Sequence, residues 1–251
     1  MASVTQRIKQ VKQPRGGYIK PKEFDKVLIN DNIELNEKEN IHSSLIGLVV
    51  DYMTRYINGT SLEDSFRISL RGANIIGELD FAESLINNIN GLDDKSIANA
   101  CKLVGYDVCF RAGAAWYKPV QDINPDIDTI ENIRCMIERS LEYIKNYGPI
   151  VEDGFTFEGG YTELITSGDG DFLTEDTLWD FKVSIKAPTS AHTLQLLIYY
   201  LMGMHSIRKS KFENIKKLGI FNPRLNIVYT LEINKIPDDI IKEVSENIIG
   251  Y

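Results

Sequence analysis

The run GDGDFLTEDTLWDFKVSIK, Gly168 to Lys186, constrains the fold more tightly than any other part of the chain. Asp169–Thr174 and Thr177–Ser184 are short and rich in β-branched and aromatic residues, with Glu175-Asp176 between them, so they read as a hairpin. A turn centred on Glu175-Asp176 sets Thr174 opposite Thr177, Leu173 opposite Leu178, Phe172 opposite Trp179 and Asp171 opposite Asp180. Side chains alternate along a strand. Asp169, Asp171, Asp180 and Lys182 therefore share one face, and Phe172 and Trp179 the other.

Directly opposed residues of an antiparallel pair have Cβ atoms about 4.5–5.5 Å apart, and two acids at that spacing destabilise a purely structural sheet. A divalent cation between them removes the conflict, and hard oxygen ligands select Mg²⁺ or Mn²⁺. Lys182 brings a positive charge to the same spot. It can orient or help deprotonate water, or stabilise charge developing on a phosphate oxygen. Such a set is suited to phosphodiester hydrolysis.

The arrangement resembles the PD-(D/E)XK nuclease superfamily, with Asp171 followed by Asp180-Phe181-Lys182. Gly168 and Asp171 supply the G-x-x-D form of its RecB-like branch, and Gln195-Leu-Leu-Ile-Tyr199 is similar to that branch's Q-x-x-x-Y signature. Gln195 and Tyr199, four apart, lie on one helix face, and His192 falls on the same stripe. The likeness covers about Gly154 to Ile233. It implies a restriction-endonuclease-like αβββαβ core and a metal held by Asp171, Asp180 and the backbone carbonyl of Phe181. It further implies Lys182 as helper of the attacking water, Gln195 and Tyr199 as substrate-positioning residues, and DNA as substrate. The branch commonly adds an upstream His or Glu ligand. His42, Asp51 and Glu142 are candidates, with Asp51 ranked first because a charge amid GLVVDYM is costly without a partner.

Around that core, the spacing predicts helices over Ile41–Tyr56, Ser61–Ile76, Leu79–Asn88, Ser96–Val104 and from Asp128 or Thr129 to Tyr147, closed by Gly148-Pro149. Glu23–Asn40 reads as irregular chain. Tyr161–Thr166 alternates as a strand should, Ser190–Ile207 reads as an apolar helix, and Leu225–Ile233 as a further strand. The expected fold is α/β with a mixed sheet. Residues 1–25 would be a flexible arm, 26–150 a helical elaboration shaping access to the cleft, and 151–251 the nuclease core, with 26–251 one compact unit.

Charge is unevenly spread. The first 22 residues carry Arg7, Lys9, Lys12, Arg15, Lys20 and Lys22 and no acid, which leaves −14 on the remainder of a chain whose total is −8. A protein that only binds nucleic acid is usually basic throughout. A basic arm is compatible with a local phosphate contact, but Pro14, Gly16 and Gly17 favour reading it as a solvated terminus. Arg208, Lys209, Lys211, Lys216 and Lys217 form a second basic run, as readily an exposed charged loop as a DNA-facing patch.

Cys101, Cys109 and Cys135 form no C-x-x-C pair, which reads as small buried residues in a reducing cytoplasm rather than a disulfide or zinc framework. The start has no apolar signal-peptide region, and Leu194–Met204 is too short and too polar to span a bilayer. No membrane partner is expected. The reading is a metal-dependent nuclease. Its rival is a non-catalytic nucleic-acid-binding or scaffold protein that keeps a nuclease-like core.

Overall fold

The computed structural model describes residues 2–251, which divide into a core unit, residues 2–30 and 144–251, and a helical unit, residues 31–143. In chain order, α1 (Val4–Gln10) and β1 (Asp25–Leu28) come first. α2 (Ser43–Ile57), α3 (Leu62–Ser65), α4 (Arg67–Ile75), α5 (Leu79–Ile86), α6 (Asp94–Leu103), α7 (Asp107–Arg111) and α8 (Ile127–Tyr147) follow. Then come β2 (Glu152–Thr156), β3 (Asp169–Leu173), β4 (Thr177–Phe181), α9 (Ser190–His205), α10 (Lys209–Phe212), β5 (Lys217–Asn222), β6 (Ile227–Glu232) and α11 (Asp238–Glu243). The fold is mixed α/β. No helix among the described residues is long and apolar enough to cross a membrane.

The six strands form one sheet in the order β1-β6-β5-β4-β3-β2. β4 and β5 are parallel, joined through α9 and α10, and every other neighbour pair is antiparallel. The hairpin has the register read from the sequence: Phe172 pairs with Trp179, Leu173 with Leu178, and the Thr174 N–H donates to the Thr177 carbonyl. Leu173 and Leu178 join Leu194, Leu197 and Ile198 of α9 in the core. Phe172 and Trp179 stack on each other, and the Tyr147 ring meets Trp179 edge-on. α9 is buried without a break from Thr193 to Tyr199, as expected of a helix apolar all round.

In the helical unit, a carboxylate anchors the packing. Asp107, 2% exposed, accepts hydrogen bonds from the hydroxyls of Tyr52 at 2.6 Å and Ser69 at 2.5 Å. Arg139 clamps Asp31 through two nitrogens. The helix expected over Ser61–Ile76 is divided at Phe66, whose side chain is fully buried, into α3 and α4.

Several expectations are corrected. Tyr161–Thr166 is not a strand. Its chain turns locally, with the Thr162 hydroxyl accepting the N–H groups of Leu164 and Ile165. The strand that pairs with β3 is instead β2, whose acids and left-handed Gly154 (φ 54°) hide the alternation. β5 is an added strand in which Gly219 makes room for Trp179, since a Cβ there would overlap the indole ring. β1 lies in chain read as irregular because all four of its residues are exposed at the sheet edge. The N-terminal segment is not a free arm: α1 begins with a Ser3–Gln6 capping box and buries Val4 and Ile8. The helical unit spans residues 31–143, against the 26–150 read from the sequence.

Candidate active site

Asp171 and Asp180 lie on the hairpin face that carries Leu173 and Leu178, the face covered by α9. The paired ladder of β3 and β4 stops at Phe172–Trp179, and β4 continues as a partner of β5, with Asp180 beside Ile220. At that departure the Asp171 carboxylate takes over as acceptor: its Oδ2 receives the Phe181 backbone N–H at 2.6 Å. The Lys182 N–H donates to the Phe221 carbonyl at 2.9 Å, which fixes the chain just beyond β4.

Asp180 is 1% exposed. Its Oδ1 is 2.8 Å from the Lys182 ammonium, whose side chain keeps 27% of its surface in water. Its Oδ2 is buried and has no hydrogen-bond partner among the described residues. A buried acceptor left unmade costs about 1–3 kcal/mol, more for a charged group. The two acids thus avoid mutual repulsion by different means, one through a backbone donor and one through an ammonium.

Gly168 opens the approach to β3. A Cβ there would lie 2.8 Å from the Val4 side chain and 3.5 Å from the Tyr199 ring. Its carbonyl accepts the Tyr161 hydroxyl at 3.1 Å. On α9, Gln195 Nε2 donates to the Tyr199 hydroxyl at 2.8 Å, and both side chains are buried. Burial first, then the charges of Asp171, Asp180 and Asp169, push the Tyr199 phenol upward against the opposing Gln195 bond, so it stays neutral. Asp169 is itself exposed, at the entrance to β3.

His192, on the same stripe of α9, is half-buried. Burial, and then the Lys182 charge, lower its pKa against the opposing pull of Asp180. Its Nδ1 accepts the Thr189 N–H at 3.3 Å, which leaves the proton of the neutral ring on Nε2. The i, i+3 spacing to Gln195 was the available signal.

Asp51, His42 and Glu142 belong to the helical unit, not to the core unit that holds Asp171 and Asp180. Asp51 is on α2 beside Tyr52, His42 caps α2 by accepting the Ser44 N–H, and Glu142 is exposed on α8. Among the described residues no group of three or more His, Cys, Asp or Glu is disposed to hold a metal. What the core unit offers at this place is two carboxylates, Asp171 and Asp180. Such a pair would fit Mg²⁺, which binds through one or two carboxylates and keeps several waters, better than zinc, which requires an all-protein cage.

Four of the five cations of the second basic run face an acid. Arg208 pairs with Glu152 and Glu158, Lys211 with Glu152, Lys209 with Glu213 and Lys217 with Asp176. Comparison of the chain with protein-family models, with curated proteins and with solved structures gave no significant match.

Proposed function

We propose that this chain is a divalent-metal-dependent nuclease of the PD-(D/E)XK type, RecB-like branch, that hydrolyses phosphodiester bonds in DNA. The observation that carries the reading is the Asp180 carboxylate, buried on the sheet with Lys182 on one oxygen and no hydrogen-bond partner among the described residues on the other. A structural ion pair would be expected to satisfy both oxygens. A carboxylate that keeps one oxygen free beside a second acid and an ammonium suits a cation and a phosphate.

Asp171, Asp180 and the Phe181 carbonyl would hold Mg²⁺ or Mn²⁺. When bound, such an ion supplies Lewis-acid stabilisation of phosphate charge and makes water more acidic. Lys182, oriented by Asp180 Oδ1, presents its ammonium to a phosphate oxygen as negative charge grows there. Lys182 also orients the attacking water. The neutral Tyr199 phenol, locked by Gln195, and the neutral His192 imidazole border the same face as uncharged hydrogen-bonding groups. They position substrate without adding charge.

The test is incubation of purified protein with plasmid and single-stranded DNA in Mg²⁺, in Mn²⁺ and in EDTA. Cleavage that needs the metal and is lost in Asp180→Ala supports the proposal. Binding without cleavage in either metal favours the non-catalytic scaffold reading instead.

A further inference from the structure

The N-terminal segment is tied at both ends to the elements that carry the site. At its start, the Thr166 N–H donates to the Ala2 carbonyl at 2.9 Å and the Val4 N–H to the Ser167 carbonyl at 3.0 Å, just before β3. At its end, the Thr193 hydroxyl of α9 donates to the Ile19 carbonyl at 2.6 Å. Gly17 lies so close to Ser190 that a Cβ there would overlap the serine side chain. Ser190 precedes His192 by two residues, and His192 feels the charges of Lys182 and Asp180.

The cations of this segment divide into two groups. Arg7 is structural, its guanidinium donating to the carbonyls of Ile248 and Asn247 at 3.0 Å each, and Lys20 sits 3.9 Å from Glu23. Lys9, Lys12, Arg15 and Lys22 are exposed and have no acidic partner among the described residues; the first three lie between the segment's two anchors, and Lys22 lies beyond Ile19. They stand out against Lys209, Lys235 and Lys242, which each face an acid. The rest of the chain carries −14 and its site presents carboxylates, so a polyanion approaching it is repelled. Screening confines each charge to about 8–10 Å, so only cations anchored close by can offset that repulsion.

We infer that Lys9, Lys12 and Arg15 form a track for the phosphate backbone of duplex DNA, leading substrate to the face that bears Asp171 and Asp180. The inference rests on the nuclease reading but concerns binding, which is measured without a metal. The segment's fixed backbone makes the contact a pre-positioned one, so it sets affinity and orientation rather than sequence preference.

The experiment is fluorescence anisotropy of a labelled DNA duplex in EDTA across a range of salt. It compares wild type, the triple variant Lys9→Gln/Lys12→Gln/Arg15→Gln, and a charge-matched control, Lys209→Gln/Lys235→Gln/Lys242→Gln. The track predicts that the triple variant binds about tenfold or more weakly at low salt, with a log–log salt slope shallower by about 3, close to one per lost phosphate contact. The control should keep the wild-type slope. An unchanged slope in the triple variant overturns the track, and so does an equal loss in the control. If wild type cleaves DNA and the triple variant binds it normally, the track alone falls. If wild type ignores DNA and binds anionic phospholipid vesicles, the track and the nuclease reading fall together.

Discussion

The Asp171 carboxylate accepts the Phe181 backbone N–H at 2.6 Å, so an acid read as a metal ligand also closes the sheet where β3 and β4 separate. That hydrogen bond gives the Asp171 carboxylate a role in the fold. Asp171→Asn keeps an oxygen acceptor and is expected to retain stability while losing cleavage. Asp171→Ala leaves the Phe181 donor unmade and should cost about 1–3 kcal/mol as well. Urea unfolding of both variants separates the two roles. Equal stability of Asn and Ala variants would show that the bond contributes nothing.

Removing Lys182 should be felt in stability before activity is considered. Lys182→Gln strips the cation paired with Asp180 Oδ1 and leaves a carboxylate that is 1% exposed without that countercharge. Breaking a fully buried pair costs about 3–5 kcal/mol; because Lys182 keeps 27% of its side chain in water, a loss of about 2–3 kcal/mol is expected. Mg²⁺ should restore part of that loss and stabilise the variant more than wild type. Melting curves with and without Mg²⁺ read it directly, and an identical Mg²⁺ effect in both proteins would contradict the shared site.

The acid sensitivity of the core unit should run through Glu152. Burial alone would raise its pKa, but the hydrogen bonds and charges of Arg208 and Lys211 outweigh it and hold the carboxyl below its ordinary value. A folded pKa below the unfolded one contributes stability that is complete above the unfolded value, about 4.3, and disappears as pH falls through the folded value. Glu152→Gln should therefore lower the melting temperature at neutral pH and flatten its decline below about pH 5. If the variant and wild type lose stability in parallel on acidification, Glu152 is not the group responsible.

What was legible in the sequence follows from how each signal is encoded. The Asp169–Ser184 hairpin was readable because its register is fixed by a two-residue turn and by alternation that buries Phe172 against Trp179 and Leu173 against Leu178. α9 was readable because it is apolar on every side. β5 was not, because Gly219 replaces a strand former where Trp179 needs space. β2 was hidden by its acids Glu152 and Asp153; the partners of Glu152, Arg208 and Lys211, come from a segment more than fifty residues later. The N-terminal segment looked like a solvated arm because its six cations dominate its composition. Two apolar residues at i and i+4, Val4 and Ile8, were enough to seat it in the core. Within the site, side-chain types and spacing were legible, but the free oxygen of Asp180 and the environment of His192 exist only after the sheet and α9 come together.

The central claim is that Asp171 and Asp180 together hold a divalent cation. Mn²⁺ binding followed by electron paramagnetic resonance tests it without any substrate. Wild type should immobilise Mn²⁺ at a site that Mg²⁺ competes for and that both Asp171→Asn and Asp180→Asn abolish while remaining folded. Mn²⁺ binding that persists undiminished in folded Asp180→Asn would contradict the account.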